Sequence, residues 1–349
     1  MRALVVDRAA GPAAVRDLPE PAPPPGGVVV RVEATGLCRS DWHAWAGHDD
    51  DVAFPHVPGH ELAGEIVAVG AGVERWTAGR RVTVPFVCGC GRCEWCRQGD
   101  AQVCPQQTQP GFTHWGSFAE QVVLHAADAN LVALPDGLDA GAAAALGCRF
   151  ATAYRGLVAR ARLRSGETLL VVGAGGVGLS AAMIGRAIGA RVVVVDRHDR
   201  ALAAARDLGA DHVVRVGGTP EETAAAILET AEGGAHVAVD AVGHPDAAAA
   251  AILSLRRRGR HVQIGLLPPV DGHPRVPMAR VIGWELDVLG SHGMAAADYP
   301  ALLRLVADGA LQPQRLVERT IGLAEAADLL PRFDAADLAG LTIIDPRLP

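Results

Sequence analysis

The stretch LLVVGAGGVGLS, residues 169–180, decides the fold. A Val/Leu strand runs into Gly173, Gly175 and Gly178, spaced G-x-G-x-x-G, and an apolar helix follows. The first glycine permits a tight turn, the second lets the backbone approach a pyrophosphate, and the third allows close helix–strand packing. The helix N-terminus then stabilises negative charge. A structural Gly-rich turn is the alternative, and the next strand argues against it. RVVVVD ends at Asp196, where a carboxylate accepts hydrogen bonds from ribose hydroxyls. Asp196 would repel a 2′-phosphate, which favours NAD over NADP, and Arg197 beside it partly offsets that repulsion.

Outward from this motif, residues 150–289 alternate strand and helix, the pattern of a parallel, doubly wound α/β sheet. Residues 1–149 read instead as short strands punctuated by Gly and Pro, such as VVVRVEA and LAGEIVAVG, and predict a β-rich, barrel-like unit. The tail from 290 carries the helices DYPALLRLVADG and LAEAADLLPRFDA and the strand GLTIID, which the sequence alone assigns to neither unit. PEPAPPPGG at 19–27 reads as a stiff early connection.

A chain of 349 residues, half of them hydrophobic, is long enough for about two buried cores. It contains no lysine: all 32 basic residues are arginine, which excludes Schiff-base chemistry, the P-loop lysine and a Tyr/Lys catalytic pair. Net charge −7 argues against a nucleic-acid surface, and the one basic run, RRRGR at 256–260, reads as a solvated helix end and turn. The longest apolar run is broken by glycines, and MRALVVDRAAGP lacks a signal-peptide core. The expectation is a cytoplasmic protein with neither membrane nor nucleic-acid partner.

Five of the seven cysteines fall within 17 residues, a density that in reducing surroundings points to metal rather than disulfides. CGRCEWCRQGDAQVC sets Cys90, Cys93, Cys96 and Cys104 around one loop, and four thiolates suit a closed, tetrahedral, structural zinc. An iron–sulfur cluster and unliganded thiols are the rivals, and Cys88 is left over as a spare buried thiol. GLCRSDWH at 36–43 crowds Cys38, Ser40, Asp41 and His43 together; alone it reads as a polar turn. PGHELAG supplies His60 and Glu61, and LGCRFATAY supplies Cys148. Taken singly, His60 is an ordinary turn histidine and Cys148 a small core residue. Together with Cys38 they make three ligands from separate segments, which leave a fourth tetrahedral position open.

GLCRSDWHAWAG, PGHELAGEIVAVGAGV, the four-cysteine lobe, GAGGVG and VDAVG occur in one order across essentially the whole chain. In this the chain resembles the zinc-dependent alcohol dehydrogenases of the medium-chain dehydrogenase/reductase family, whose catalytic zinc has that same Cys2His set. The resemblance implies a GroES-like catalytic domain over 1–149, completed by 290–349, and a Rossmann domain over 150–289, with the active site in the cleft between them. It implies two zinc ions, a catalytic one on Cys38, His60 and Cys148 and a structural one in the lobe, the first the more open to solvent. Ser40 would hydrogen-bond the substrate oxygen and pass its proton through the cofactor ribose to His43. Asp41 would orient His60, and Glu61 would approach the metal during ligand exchange. Arg39 and the turn Gly173, Gly175, Gly176, Val177 and Gly178 would hold the pyrophosphate. Asp196 and Arg197 would meet the ribose, and Thr152, Ile264, Gly265 and Leu266 would lie against the nicotinamide.

The implied reaction is reversible hydride transfer between an alcohol, as its zinc-bound alkoxide, and NAD. A polyol or formaldehyde dehydrogenase, an NADP-dependent carbonyl reductase and a non-enzymatic nucleotide- or zinc-binding protein are the other readings. One departure from the family pattern is Leu341, in the last strand, where many relatives carry an arginine that contacts the phosphates. Trp45, Phe86 and Trp115 are candidate pocket walls for an apolar alcohol, and a homo-oligomer, dimer or tetramer, is expected.

Overall fold

The computed structural model describes residues 1–267, 273–335 and 339–348, which divide into two compact units. One comprises Met1–Ala151, Gly293–Asp308 and Gln312–Pro349, and the other Thr152–His292 with Gly309–Leu311.

The first unit is built on strand Val28–Leu37. Strand Glu61–Val69 pairs antiparallel along one edge; on the other, Gln121–Leu124 pairs with the first half and the late strand Leu341–Ile344 with the second. The sheet is mixed, because Leu341–Ile344 lies parallel to Val317–Ile321. The tail that the sequence left unassigned thus completes this sheet. Strand Val28–Leu37 is buried on both faces toward its end, where Ala143 and Ala144 of the helix Ala140–Ala145 pack with Ala34, Ala63 and Ile343. Alanines at these positions let a helix approach a strand closely. Strand and helix therefore bring Cys38, just beyond Leu37, toward Cys148, just beyond Ala145.

Helical pairing changes to the wider i→i+5 pattern over Leu146–Phe150, a π stretch that contains Cys148. Such bulges re-aim side chains and recur at functional sites. The buried Tyr299 hydroxyl fastens this one, 3.2 Å from the carbonyl oxygens of both Leu146 and Gly147.

Among the described residues of the second unit six parallel strands stand in the spatial order His212–Arg215, Arg191–Asp196, Thr168–Val172, Ala235–Asp240, Leu255–Gln263, Asp287–Gly290. Chain order reverses between Thr168–Val172 and Ala235–Asp240, the switch point outside whose carboxyl ends such sheets bind ligands. The central strands are continuous apolar runs because helices cover both faces.

RRRGR departs from expectation. Arg256–Arg260 belongs to strand Leu255–Gln263, not to a helix end. Pairing jumps from Ala235↔Leu255 to Val237↔Arg260, so the intervening residues bulge out, with Arg258 at φ +62°. The arginines serve the fold: Arg260 bonds Glu167 and the Ala161 carbonyl, and Arg257 stacks over Trp284.

Candidate active site

The first site gathers on the unit built around Val28–Leu37. Helix Arg39–Ala46 starts at Cys38, whose backbone N–H donates to Asp41 Oδ2 at 2.8 Å, and ends at Gly47 in the left-handed region, φ +81°. Asp41 is wholly buried, and its Oδ1 accepts from Gly59 N at 3.1 Å and from His60 Nδ1 at 2.9 Å. This bond fixes the His60 tautomer with the proton on Nδ1, so the Nε2 lone pair points the other way. Nε2 is buried and has no hydrogen-bond partner. A neutral imidazole nitrogen stranded in this way is costly unless something accepts its lone pair.

Candidates for that role are close. Ligand atoms of Cys38, His60, Glu61 and Cys148 all lie within 4.8 Å of one another. Cys38, His60 and Glu61 are buried and Cys148 is partly exposed, so the set is less open than the sequence suggested. The Cys148 side chain, hydrogen-bonded to Cys38, holds the Cys38 thiol well below its usual pKa, and the same contact pushes Cys148 well above. The two sulfurs thus favour one shared proton, a position a divalent cation fills better. Two thiolates and an imidazole suit zinc in their softness and geometry.

Glu61 is engaged elsewhere. Its Oε1 accepts from Arg149 Nε at 3.0 Å and Arg149 N at 3.1 Å, and its Oε2 from Arg149 Nη2 at 2.5 Å. Burial opposes the Arg149 charge, but Glu61 together with Cys38 and Cys148 outweighs it and holds the pKa above the ordinary guanidinium value. Sequence reasoning missed Arg149. Its partner is 88 positions away, and only its place beside Cys148 hinted at a role.

Ser40 Oγ lies 3.8 Å from Cys38 Sγ. The half-buried His43 has Nδ1 3.0 Å from Nδ1 of His48, and among the described residues no hydrogen bond joins Ser40 to His43. Arg39 pairs with Asp334 at 3.2 Å across an exposed surface, a contact that would yield readily to a phosphate. Phe86 meets His60 edge to face and Phe112 meets it at a tilt, with ring centroids 6.0 and 5.2 Å away. Trp45 instead packs on the core and donates to Gly11 O, and Trp115, 45% exposed, donates to Pro55 O.

The second cluster is Cys90, Cys93, Cys96 and Cys104, again within 4.8 Å. Cys93 Sγ stands 3.5 Å from Cys96 Sγ and 3.6 Å from Cys104 Sγ, too far for disulfides and right for edges of one tetrahedron. The backbone N–H of Arg92, above all, lowers the Cys90 thiol to about 6, which favours a thiolate. Cys88 points instead into the core, where burial lifts its thiol to about 12.

In the second unit the glycine turn is built as its spacing implies. Gly173 sits at φ +93°, and a Cβ on Gly178 would stand 1.8 Å from Gly173 O. A Cβ on Gly175 would meet nothing within 4 Å, leaving open space before the helix Gly176–Ile188, which begins with Gly176 and Val177. Asp196 accepts from Ala174 N at 2.7 Å and His198 N at 2.9 Å, which fixes its carboxylate at the rim of this space with lone pairs to spare. Arg197 is exposed and its carbonyl accepts from Arg215. On the far side of the switch point a Cβ on Gly265 would strike Gly243 N at 2.2 Å, and Leu266 is 63% exposed. Ile264 N donates to Asp240 O, and Thr152 is buried at the start of the unit. The residues fit a dinucleotide.

A soft three-donor metal set with one further position, together with a dinucleotide turn, defines a metal-dependent nicotinamide oxidoreductase. Comparison with known proteins places it more narrowly. The family model of the alcohol dehydrogenase GroES-like domain matches residues 24–136, and that of the zinc-binding dehydrogenases matches 176–308. Alcohol dehydrogenase 1 of Emericella nidulans is 31% identical over 341 residues, 95% of this chain and 96% of that one. A solved NAD-dependent alcohol dehydrogenase, 32% identical, superposes with a TM-score of 0.87 over 99% of both chains. A zinc-binding dehydrogenase from Sinorhizobium meliloti 1021, solved with NADP and 26% identical, superposes at 0.88 over 99% of both. The chain belongs to the zinc-dependent alcohol dehydrogenases of the medium-chain dehydrogenase/reductase family, and it is an oxidoreductase that uses zinc and a nicotinamide cofactor on small molecules.

Proposed function

We propose that the chain oxidises primary or secondary alcohols, and reduces the matching carbonyls, with NAD(H) at a zinc held by Cys38, His60 and Cys148. The observation that carries this is the buried, unpartnered His60 Nε2 among two cysteine sulfurs, its ring fixed by Asp41. When bound, zinc supplies a Lewis acid that acidifies the alcohol and the nicotinamide supplies the hydride acceptor. The protein does the rest. Ser40 Oγ, beside Cys38, would accept the hydroxyl proton as it releases its own toward His43 by way of a ribose hydroxyl of the bound cofactor, and His43 would deliver a proton to solvent at the half-buried surface beside His48. Phe86 and Phe112, packed against the His60 ring, exclude water from the metal's surroundings and favour apolar alcohols.

The second zinc belongs to Cys90, Cys93, Cys96 and Cys104, where it closes the loop and does no chemistry. Asp196 selects NAD over NADP, because its carboxylate meets the adenosine ribose where NADP carries its extra phosphate. Seven cysteines that form no disulfide among the described residues suit a reducing compartment and support a cytoplasmic location. The protein works as a homo-oligomer: strand Asp287–Gly290 leaves one sheet edge free of a described partner strand, and Met278, Ile282 and Val288 are 51%, 72% and 47% exposed.

A screen of alcohols with both cofactors tests the reading. Activity with NAD should fall about tenfold to a hundredfold in His43→Gln, return in part with a small amine buffer, and fall further in Ser40→Ala. Burial, with His48 and Arg39 adding, lowers the His43 pKa, so the ring accepts protons to below pH ~6.5 and the acid limb of oxidation lies there. An unchanged pH profile in both variants contradicts the relay.

A further inference from the structure

Four donors, not three, meet at the catalytic cluster, because a Glu61 oxygen stands within the same 4.8 Å as Cys38, His60 and Cys148. Four protein ligands make a closed tetrahedron, which has no room for a substrate oxygen. Something must keep the carboxylate away from the metal.

We propose that Arg149 is a positioning residue that clamps Glu61 and so holds the fourth coordination position open. The proposal rests on the zinc assignment to Cys38, His60 and Cys148. Both oxygens of Glu61 are taken by Arg149, one by Nε and the backbone N–H, the other by Nη2. The side chains are 0% and 8% exposed, so water does not compete. A guanidinium fork matches a carboxylate in two parallel bonds, which fixes the direction of the oxygens as well as their distance. Burying such a pair adds little stability over apolar residues of the same size. Its presence beside a metal set therefore calls for a reason other than stability.

The backbone makes room for the clamp. A Cβ on Gly36 would lie 2.1 Å from Glu61 Oε2 and 3.0 Å from Arg149 Nη2. A Cβ on Gly147 would lie 3.0 Å from Glu61 Cα. Arg149 also follows Cys148 directly in the π stretch, so one backbone segment sets both the ligand sulfur and the group that restrains the competing carboxylate.

The test uses the full chain with Co2+ in place of zinc, read by its visible bands, and imidazole as the probe for the open position. In Arg149→Met the freed carboxylate should shift the cobalt bands and weaken imidazole binding about tenfold, the scale of effects on metal sites from groups next to a ligand. Adding Glu61→Gln to that variant should restore both. Bands and imidazole affinity equal to wild type in Arg149→Met overturn the clamp, as does a change that survives Glu61→Gln. Should Arg149→Met not fold, Glu61→Gln alone decides. Unshifted bands mean the carboxylate was off the metal at rest, and shifted bands mean it was on it and overturn the proposal. Cobalt–thiolate absorption in Cys38→Ser equal to that of wild type, rather than reduced to the share of the Cys90, Cys93, Cys96 and Cys104 site, refutes the zinc assignment itself, independently of Arg149.

Discussion

Oδ1 of Asp41 lies 2.9 Å from Nδ1 of His60, and both side chains are fully buried. The same carboxylate accepts from the backbone of Cys38 and Gly59, so one residue sets the tautomer of one metal ligand and the position of another. Asp41→Asn keeps the shape but turns one acceptor into a donor that faces a backbone N–H. Zinc affinity should fall about tenfold to a hundredfold. Competition with a chelator measures it, and an affinity equal to wild type would show that the bond does not orient the ring.

Cofactor preference turns on Asp196. Its carboxylate is pinned by Ala174 N and His198 N at the end of strand Arg191–Asp196. Asp196→Ala removes the ribose acceptors and the charge that repels a 2′-phosphate. The ratio of kcat/KM for NADP over NAD should rise about tenfold or more, each factor of ten worth ~1.4 kcal/mol. A wild type that already prefers NADP contradicts this and makes Arg197 the determinant.

Burial, aided by the neighbouring His125, pushes His114 down to about 4, although the Trp115 carbonyl 3.0 Å from its Nδ1 favours the proton. An unfolded histidine titrates near pH ~6.5, so on acidification the unfolded chain takes up the proton first. The stability that this contributes is complete above pH ~6.5 and is lost as the pH falls toward 4. His114→Gln should therefore lose less Tm than wild type between about pH 7 and pH 5. Equal losses would place the acid sensitivity elsewhere.

What the sequence made legible was local. The turn at Gly173–Gly178 is legible because each glycine answers a short-range demand, such as the 1.8 Å approach that a Cβ on Gly178 would make to Gly173 O. The lobe cysteines are legible because one loop carries all four. Arg149 was not, since its meaning depends on Glu61 reaching it from another strand, with Gly36 making space from a third segment. RRRGR was misread for the same reason: charge alone suggested solvent, but its bulge is set by pairing with Ala235–Asp240 and Arg260 is tied to Glu167. The tail was ambiguous because four residues, Leu341–Ile344, carry no mark of the strand they join until Thr342 is paired with Leu37.

Metal content tests the central claim most directly. Fully loaded wild type should hold two zinc ions per chain. Cys38→Ser should hold one, lose alcohol oxidation and still bind NADH, because the glycine turn and Asp196 lie in the other unit. Cys104→Ser should also lose one zinc, along with thermal stability. A wild type with a single zinc that survives Cys38→Ser would contradict the account, since the donors at Cys38, His60 and Cys148 would then hold no metal.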